Sequence, residues 1–155
     1  MNEIDIVPAL MSDHESLSAL CKRSKAFWGY SPAQMKAWDE DLTITASFIQ
    51  ENVVMKALQA SQIIGFYSLV RKEDEVWLDD LFIDPSVIGE GIGSKLLAHA
   101  YNATLELGVT TLLLEADPHA EAFYLKKGFE RVGEHASSIP GRVLPVMRKE
   151  LGKIT

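Results

Sequence analysis

Three short stretches carry groups that could do chemistry. "VIGEGIGSKLL", residues 87–97, places Gly89, Gly91 and Gly93 on alternate positions where an amphipathic helix must begin. Glycines there leave amide donors and the positive end of a helix dipole open, with no side chains to hold a phosphate away. A single glycine reads as a turn that needs positive φ; three at this spacing favour phosphate contact. "AEAFYLKKGF", residues 120–129, carries Tyr124, and "EVWLDDLFID", residues 75–84, carries the consecutive carboxylates Asp79 and Asp80. A phenol can give a proton to a leaving group, and a carboxylate can accept a proton or hold a cation.

Spacing separates the possible phosphate loops. A P-loop needs lysine directly after its last glycine, but Gly93 is followed by Ser94 and only then Lys95. A dinucleotide fingerprint starting at Gly91 would need glycine at position 96, which is Leu96. What the chain does resemble is the GNAT superfamily of acetyl-CoA-dependent N-acetyltransferases. The resemblance rests on "LFIDP" running into "VIGEGIGSKLL", and on "AEAFYLKKGF" one strand later. Two positions depart from that family's pattern. Ile88 stands where Gln or Arg is usual, and Asp117 where Asn is frequent; Asp117 is expected to cap the following helix.

The resemblance implies acetyl transfer from acetyl-CoA to a primary amine, with a small molecule expected as acceptor. It implies that the main chain of Ile88, Gly89, Glu90, Gly91, Ile92, Gly93 and Ser94 cradles a diphosphate. It further implies that Leu81, Phe82 and Ile83 bond the pantetheine like a neighbouring strand, one amide polarising the thioester carbonyl. Asp117 and Phe123 join the cofactor-contacting set. Tyr124 matches the family's tyrosine, and a phenol of ordinary pKa about 10 can protonate a thiolate whose acid has pKa about 8.5. The base is left open between Asp79, Asp80 and a water relay. Consecutive strand residues point to opposite faces, and Asp79 shares a face with Trp77 and Leu81. Trp77 is therefore placed with Trp28 and Tyr30 as an acceptor-site residue, although Trp28 and Tyr30, flanking Gly29, could equally be packed into the core.

These residues need a framework of strands and helices. Ile4 and Ile6 alternate within a strand from Asn2 to Val7 that stops at Pro8. A helix follows, capped by Ser12 or Asp13, then a second with Ser31 as cap and Pro32 in its first position. "NVVMKALQ", "IIGFYSLVR" and "EVWLDDLFID" read as antiparallel strands. The glycine loop opens a helix from Ile92 to Leu107, Gly108 stops it, and "VTTLLLEA" returns as a parallel strand. Pro118 starts another helix that Gly128 ends, and "FERVGEH" and "RVLPVMRKEL" are the last strands. The fold class is mixed α/β, implied by the resemblance to be a three-layer GNAT-like domain over residues 1–155. A central mixed, mostly antiparallel sheet of about six to seven strands would be flanked by about four helices.

Composition limits the partners. The chain has 155 residues, 15 Lys and Arg against 22 Asp and Glu, and a net charge of −7 without a basic stripe, which argues against nucleic acid. No apolar run approaches the roughly 20 residues of a membrane span, and no targeting segment is visible. Cys21 is the only cysteine, so no intramolecular disulfide forms and a cytoplasmic setting is expected. It reads as a small buried side chain. His14, His99, His119 and His135 are too scattered for a metal site, so no metal is expected. A homodimer through exposed strand edges is an expectation of the family. The competing readings are a non-catalytic acyl-CoA sensor and a structural protein whose glycines only make turns.

Overall fold

The computed structural model describes residues 3–137 and 139–152. In chain order, β1 (Ile4–Pro8) is followed by a 3-10 turn (Met11–Asp13), α1 (His14–Ala26), α2 (Pro32–Ala37) and α3 (Ala46–Glu51). Next come β2 (Val53–Gln59), β3 (Gln62–Lys72) and β4 (Glu75–Ile83), then a 3-10 turn (Pro85–Val87) and α4 (Ile92–Glu106). The chain continues through β5 (Thr111–Glu115), a 3-10 turn (Pro118–Ala120), α5 (Glu121–Lys126), β6 (Glu130–Ala136) and β7 (Val143–Glu150). The strands form one seven-stranded sheet in the order β1-β2-β3-β4-β5-β7-β6. The expected mixed α/β architecture is therefore present, with one more short helix than expected. Contacts divide the chain into two compact units.

The first unit comprises residues up to Leu69 together with Asp80–Ala100. β1, β2 and β3 pair antiparallel, and Ala60 and Ser61 turn the β2–β3 hairpin with φ of 51° and 66°. β1 ends at Pro8 as expected, with Pro8 itself its last residue, opposite Met55, as an edge strand allows because the missing N–H costs no ladder bond on the open side. Asn2, the expected first residue of this strand, lies outside the described residues. α1 buries Leu17, Leu20 and Cys21 completely. Neither Ser12 nor Asp13 caps it through a side chain. The Asp13 carboxylate instead accepts from the Leu10 amide at 2.7 Å and pairs with Lys56 at 2.7 Å. Burial works to raise its pKa, but those two donors hold it below the usual carboxylate range. α2 starts as expected, with Ser31 accepting from the Gln34 amide at 3.1 Å and Pro32 first in the helix. α3 was not expected; Thr45 caps it through the Phe48 amide at 3.1 Å.

The second unit comprises Val70–Asp79 together with residues from Tyr101 onward. β4 and β5 run parallel through Val76–Leu78 and Leu112–Leu114, as a strand–helix–strand connection requires. β7 pairs antiparallel with both β5 and β6, with a register shift between Arg131 and Gly133. Gly108 and Gly128, with φ of 82° and 90°, stop α4 and α5. Leu112, Leu114, Phe129 and Met147 are buried at the centre of this unit.

Candidate active site

Asp84 closes β4 and sets the loop that follows. Its carboxylate accepts from the Ser86 amide at 3.0 Å and hydroxyl at 2.8 Å and pairs with Arg23 at 2.8 Å, while its own amide donates to Ile64 O at 2.8 Å. The carboxyl is partly desolvated, yet these donors keep its pKa below the usual range. Val87 is buried and anchors the turn. Beyond it the amides alternate in use. Those of Ile88 and Glu90 donate to Pro85 O and Val87 O at 3.5 and 3.3 Å, whereas those of Gly89 and Gly91 donate no backbone bond among the described residues.

Gly89 and Gly91 have φ of 88° and 80°, and a Cβ at either would meet nothing within 4 Å. Backbone conformation, not crowding, selects glycine at both. Ile92, Gly93 and Ser94 form the first turn of α4, where amides have no intrahelical acceptor. Ile92 is buried, Ser94 half-buried, and Ile88 and Glu90 exposed. Open amides, uncrowded glycines and a 15-residue helix behind them suit a diphosphate.

Leu81, Phe82 and Ile83 are half-buried on β4, past the residues paired with β5. Phe82 stacks on Phe66 with ring centroids 6.0 Å apart. Gly65 lets the backbones approach: a Cβ there would come within 3.0 Å of Phe82 O and 3.1 Å of Leu96. Asp80 accepts from the fully buried Ser68 hydroxyl at 2.6 Å. Burial, together with the Asp80 charge, raises the Cys21 thiol, which suits the expected inert buried cysteine. Asp79 is exposed beside half-buried Trp77. Partial desolvation raises its pKa, opposed by Lys72 and assisted by Glu115.

Tyr124 is 7% exposed and packs edge-on to Phe123 and Phe129 at centroid distances of 5.2 and 5.4 Å. Burial, with a contribution from Tyr101, lifts its pKa well above the ordinary phenol value. Proton donation to a thiolate is thus harder in the free protein than an unperturbed phenol would make it. Asp117 behaves as a cap: it accepts from the His119 amide at 2.9 Å and pairs with Arg142 at 3.0 Å. Phe123 is half-buried, with the Lys127 ammonium 5.7 Å from its ring centroid.

The two N-terminal aromatics separate in role. Tyr30 lies edge-on to Trp38 at 4.7 Å, and Lys25 sits 5.5 Å from its ring and 4.8 Å from that of Trp38. The protein's own ammonium therefore already occupies a cation–π position over Tyr30. Trp28 is 47% exposed, edge-on to the exposed Phe27 at 5.3 Å. Among the described residues, no group of His, Cys, Asp or Glu could hold a metal ion, and no helix is long and apolar enough to cross a membrane.

Residues 25–151 match the acetyltransferase (GNAT) domain family. The chain belongs to the GNAT acetyltransferases. It is 31% identical to the peptidyl-lysine N-acetyltransferase YjaB of Escherichia coli K12, across 86% of each chain. It is 41% identical to the YjaB of Salmonella typhimurium LT2 over 84 residues, a match that spans 54% of each chain. The fold superposes on the PaiA N-acetyltransferase of Thermoplasma acidophilum in complex with coenzyme A, with a TM-score of 0.79, 21% identity and coverage of 96% of this chain and 99% of that one. This GNAT protein is accordingly an acyltransferase.

Sequence reasoning passed over two features of the second unit: the His135–Glu115 hydrogen bond and the buried Tyr101 hydroxyl, which has no partner among the described residues. The bonded pair joins residues 20 positions apart. No local spacing signals it.

Proposed function

We propose that residues 1–155 act as one domain that moves an acetyl group from acetyl-CoA to a primary amine. The observation that carries this reading is the glycine loop, where the amides of Gly89 and Gly91 stand open ahead of the first turn of α4. The main chain from Ile88 to Ser94 holds the diphosphate. Leu81, Phe82 and Ile83 bond the pantetheine through their main chain, and one of their amides polarises the thioester carbonyl. Asp117 and Phe123 border the same cosubstrate. Tyr124 gives its proton to the departing thiolate.

Of the two consecutive carboxylates, Asp79 is the exposed one and open to an amine, whereas the Asp80 carboxylate is already bonded to Ser68. The names of the YjaB relatives support a lysine side chain on a peptide as acceptor. Trp77, on the strand of Asp79, supports the second reading of a small cationic amine. We read the protein as cytoplasmic and as a candidate homodimer.

The test is thiol release from acetyl-CoA with an Nα-acetyl-lysine amide and with a panel of small amines. Amine-dependent release is expected, and Tyr124→Phe should lower kcat about 100-fold with CoA binding unchanged. Binding of CoA without amine-dependent release would leave a sensor in place of an enzyme.

A further inference from the structure

The second unit holds an acid–base group that the assigned roles above do not use. Leu78 and Leu114 are the last paired residues of the parallel β4–β5 ladder, so Asp79 and Glu115 follow them side by side on neighbouring strands. Glu115 reaches in the other direction to β6, where its Oε1 lies 2.5 Å from His135 Nδ1. Both side chains remain accessible, at 57% for His135 and 40% for Glu115. A carboxylate only accepts hydrogen bonds, so this contact puts the proton of a neutral imidazole on Nδ1 and leaves the lone pair on Nε2.

The surroundings favour that arrangement. Opposite His135 and Glu115, β7 contributes Leu144 and Val146, neither of which titrates. On β6 itself, Glu134 is bound to Arg131 at 2.6 Å. Lys72, on β3, rests 5.4 Å from the Trp77 ring centroid. The carboxylate bonded to the imidazole is that of Glu115, whose charge also acts on Asp79 one strand further on.

We propose that Glu115 and His135 form the proton-accepting pair for the acceptor amine, with Asp79 beside them holding the incoming ammonium. This rests on the acetyl-transfer reading above. A lysine ammonium has an ordinary pKa near 10.4 and cannot attack while protonated. His135 Nε2 takes one proton, and Glu115 stabilises the imidazolium so formed. The freed nitrogen lone pair then forms the C–N bond as the C–S bond breaks. The second nitrogen proton replaces the one Tyr124 gives to the thiolate. The balance is ammonium plus acetyl thioester giving amide, thiol and one proton, which the exposed His135 releases to water.

Two measurements test it on the full chain. Ring nitrogen NMR of the wild type should show the Nδ1–H tautomer of neutral His135, and Glu115→Ala, which removes the acceptor, should abolish that preference. With Nα-acetyl-lysine amide as acceptor, His135→Gln should lower kcat about 100-fold at pH 7 with unchanged CoA affinity, and the deficit should narrow as pH rises and the free amine deprotonates itself. An Nε2–H tautomer in the wild type, or a His135→Gln pH profile that superposes on the wild type, overturns the pair while acetyl transfer stands. A wild type with no amine-dependent thiol release overturns the acetyl-transfer reading and this proposal with it.

Discussion

Tyr101 and Tyr124 illustrate how placement decides what a phenol can do. Tyr124 is buried, and burial raises its pKa by penalising the phenolate. Tyr101 is half-buried, and desolvation pushes it up to about 12. Its hydroxyl is fully covered and has no hydrogen-bond partner among the described residues. Its ring packs against Phe129 at 6.4 Å, with the Lys149 ammonium 4.7 Å from the ring centroid. An orphaned buried hydroxyl costs about 1–3 kcal/mol of desolvation, and the ring contacts do not need it. Tyr101→Phe should therefore stabilise the protein by about 1 kcal/mol, read as a rise of roughly 3 °C in Tm by calorimetry. A fall in Tm would mean that the hydroxyl finds a partner in solution.

At the scale of elements, the glycine loop and α4 were legible in the sequence because the glycines, the apolar periodicity and Gly108 agree with one another. The antiparallel strands were legible for the same reason: β-branched and aromatic runs alternate with turn residues. α3 was not, since "ASFIQE" is six residues with little periodicity, and only the Thr45 side chain marks its start. The His135–Glu115 contact was not legible either, because it depends on a register shift in β6 that no local pattern announces. The loop glycines make two different predictions. At Gly91, with φ of 80°, alanine forces a left-handed conformation at a cost of about 1 kcal/mol, so Gly91→Ala should lower both Tm and CoA affinity. Gly93 is already helical, and alanine is the better helix former by about 1 kcal/mol. Gly93→Ala should raise Tm yet weaken CoA binding at least tenfold by calorimetric titration if the diphosphate is held at this first turn of α4 as proposed. Unchanged affinity would leave the third glycine without a ligand role. Asp84 adds a pH dependence. Its folded pKa is lowered, so its stabilising effect is complete above the unfolded carboxylate value and disappears as pH falls through the folded one. Asp84→Asn should cost stability at pH 7, and the gap to wild type should close in thermal melts taken toward pH 3.

For the molecule as a whole, the excess of 22 acidic over 15 basic residues acts on the two substrates in opposite directions. A polyanionic cosubstrate would approach against the mean field and, on the proposed reading, would be held by local donors, the open amides of Gly89 and Gly91 and the first turn of α4. A cationic amine approaches with the field, and its final approach would be governed by Asp79 and Glu115, which follow the last β4–β5 pair. Raising ionic strength from about 0.01 M to about 0.15 M shortens the screening length from roughly 30 Å to roughly 8 Å, which removes the mean field but leaves short contacts nearly intact. The two substrates should then respond oppositely in one set of kinetic measurements. kcat/KM for Nα-acetyl-lysine amide should fall several-fold with added salt, while KM for acetyl-CoA should stay level or decrease. A neutral hydroxylamine-type acceptor, lacking the positive charge, should lose nothing. If the lysine acceptor proved as indifferent to salt as the neutral one, the acidic surface would have no part in choosing the substrate, and selection would rest on the contacts of Trp77, Asp79 and Glu115 alone.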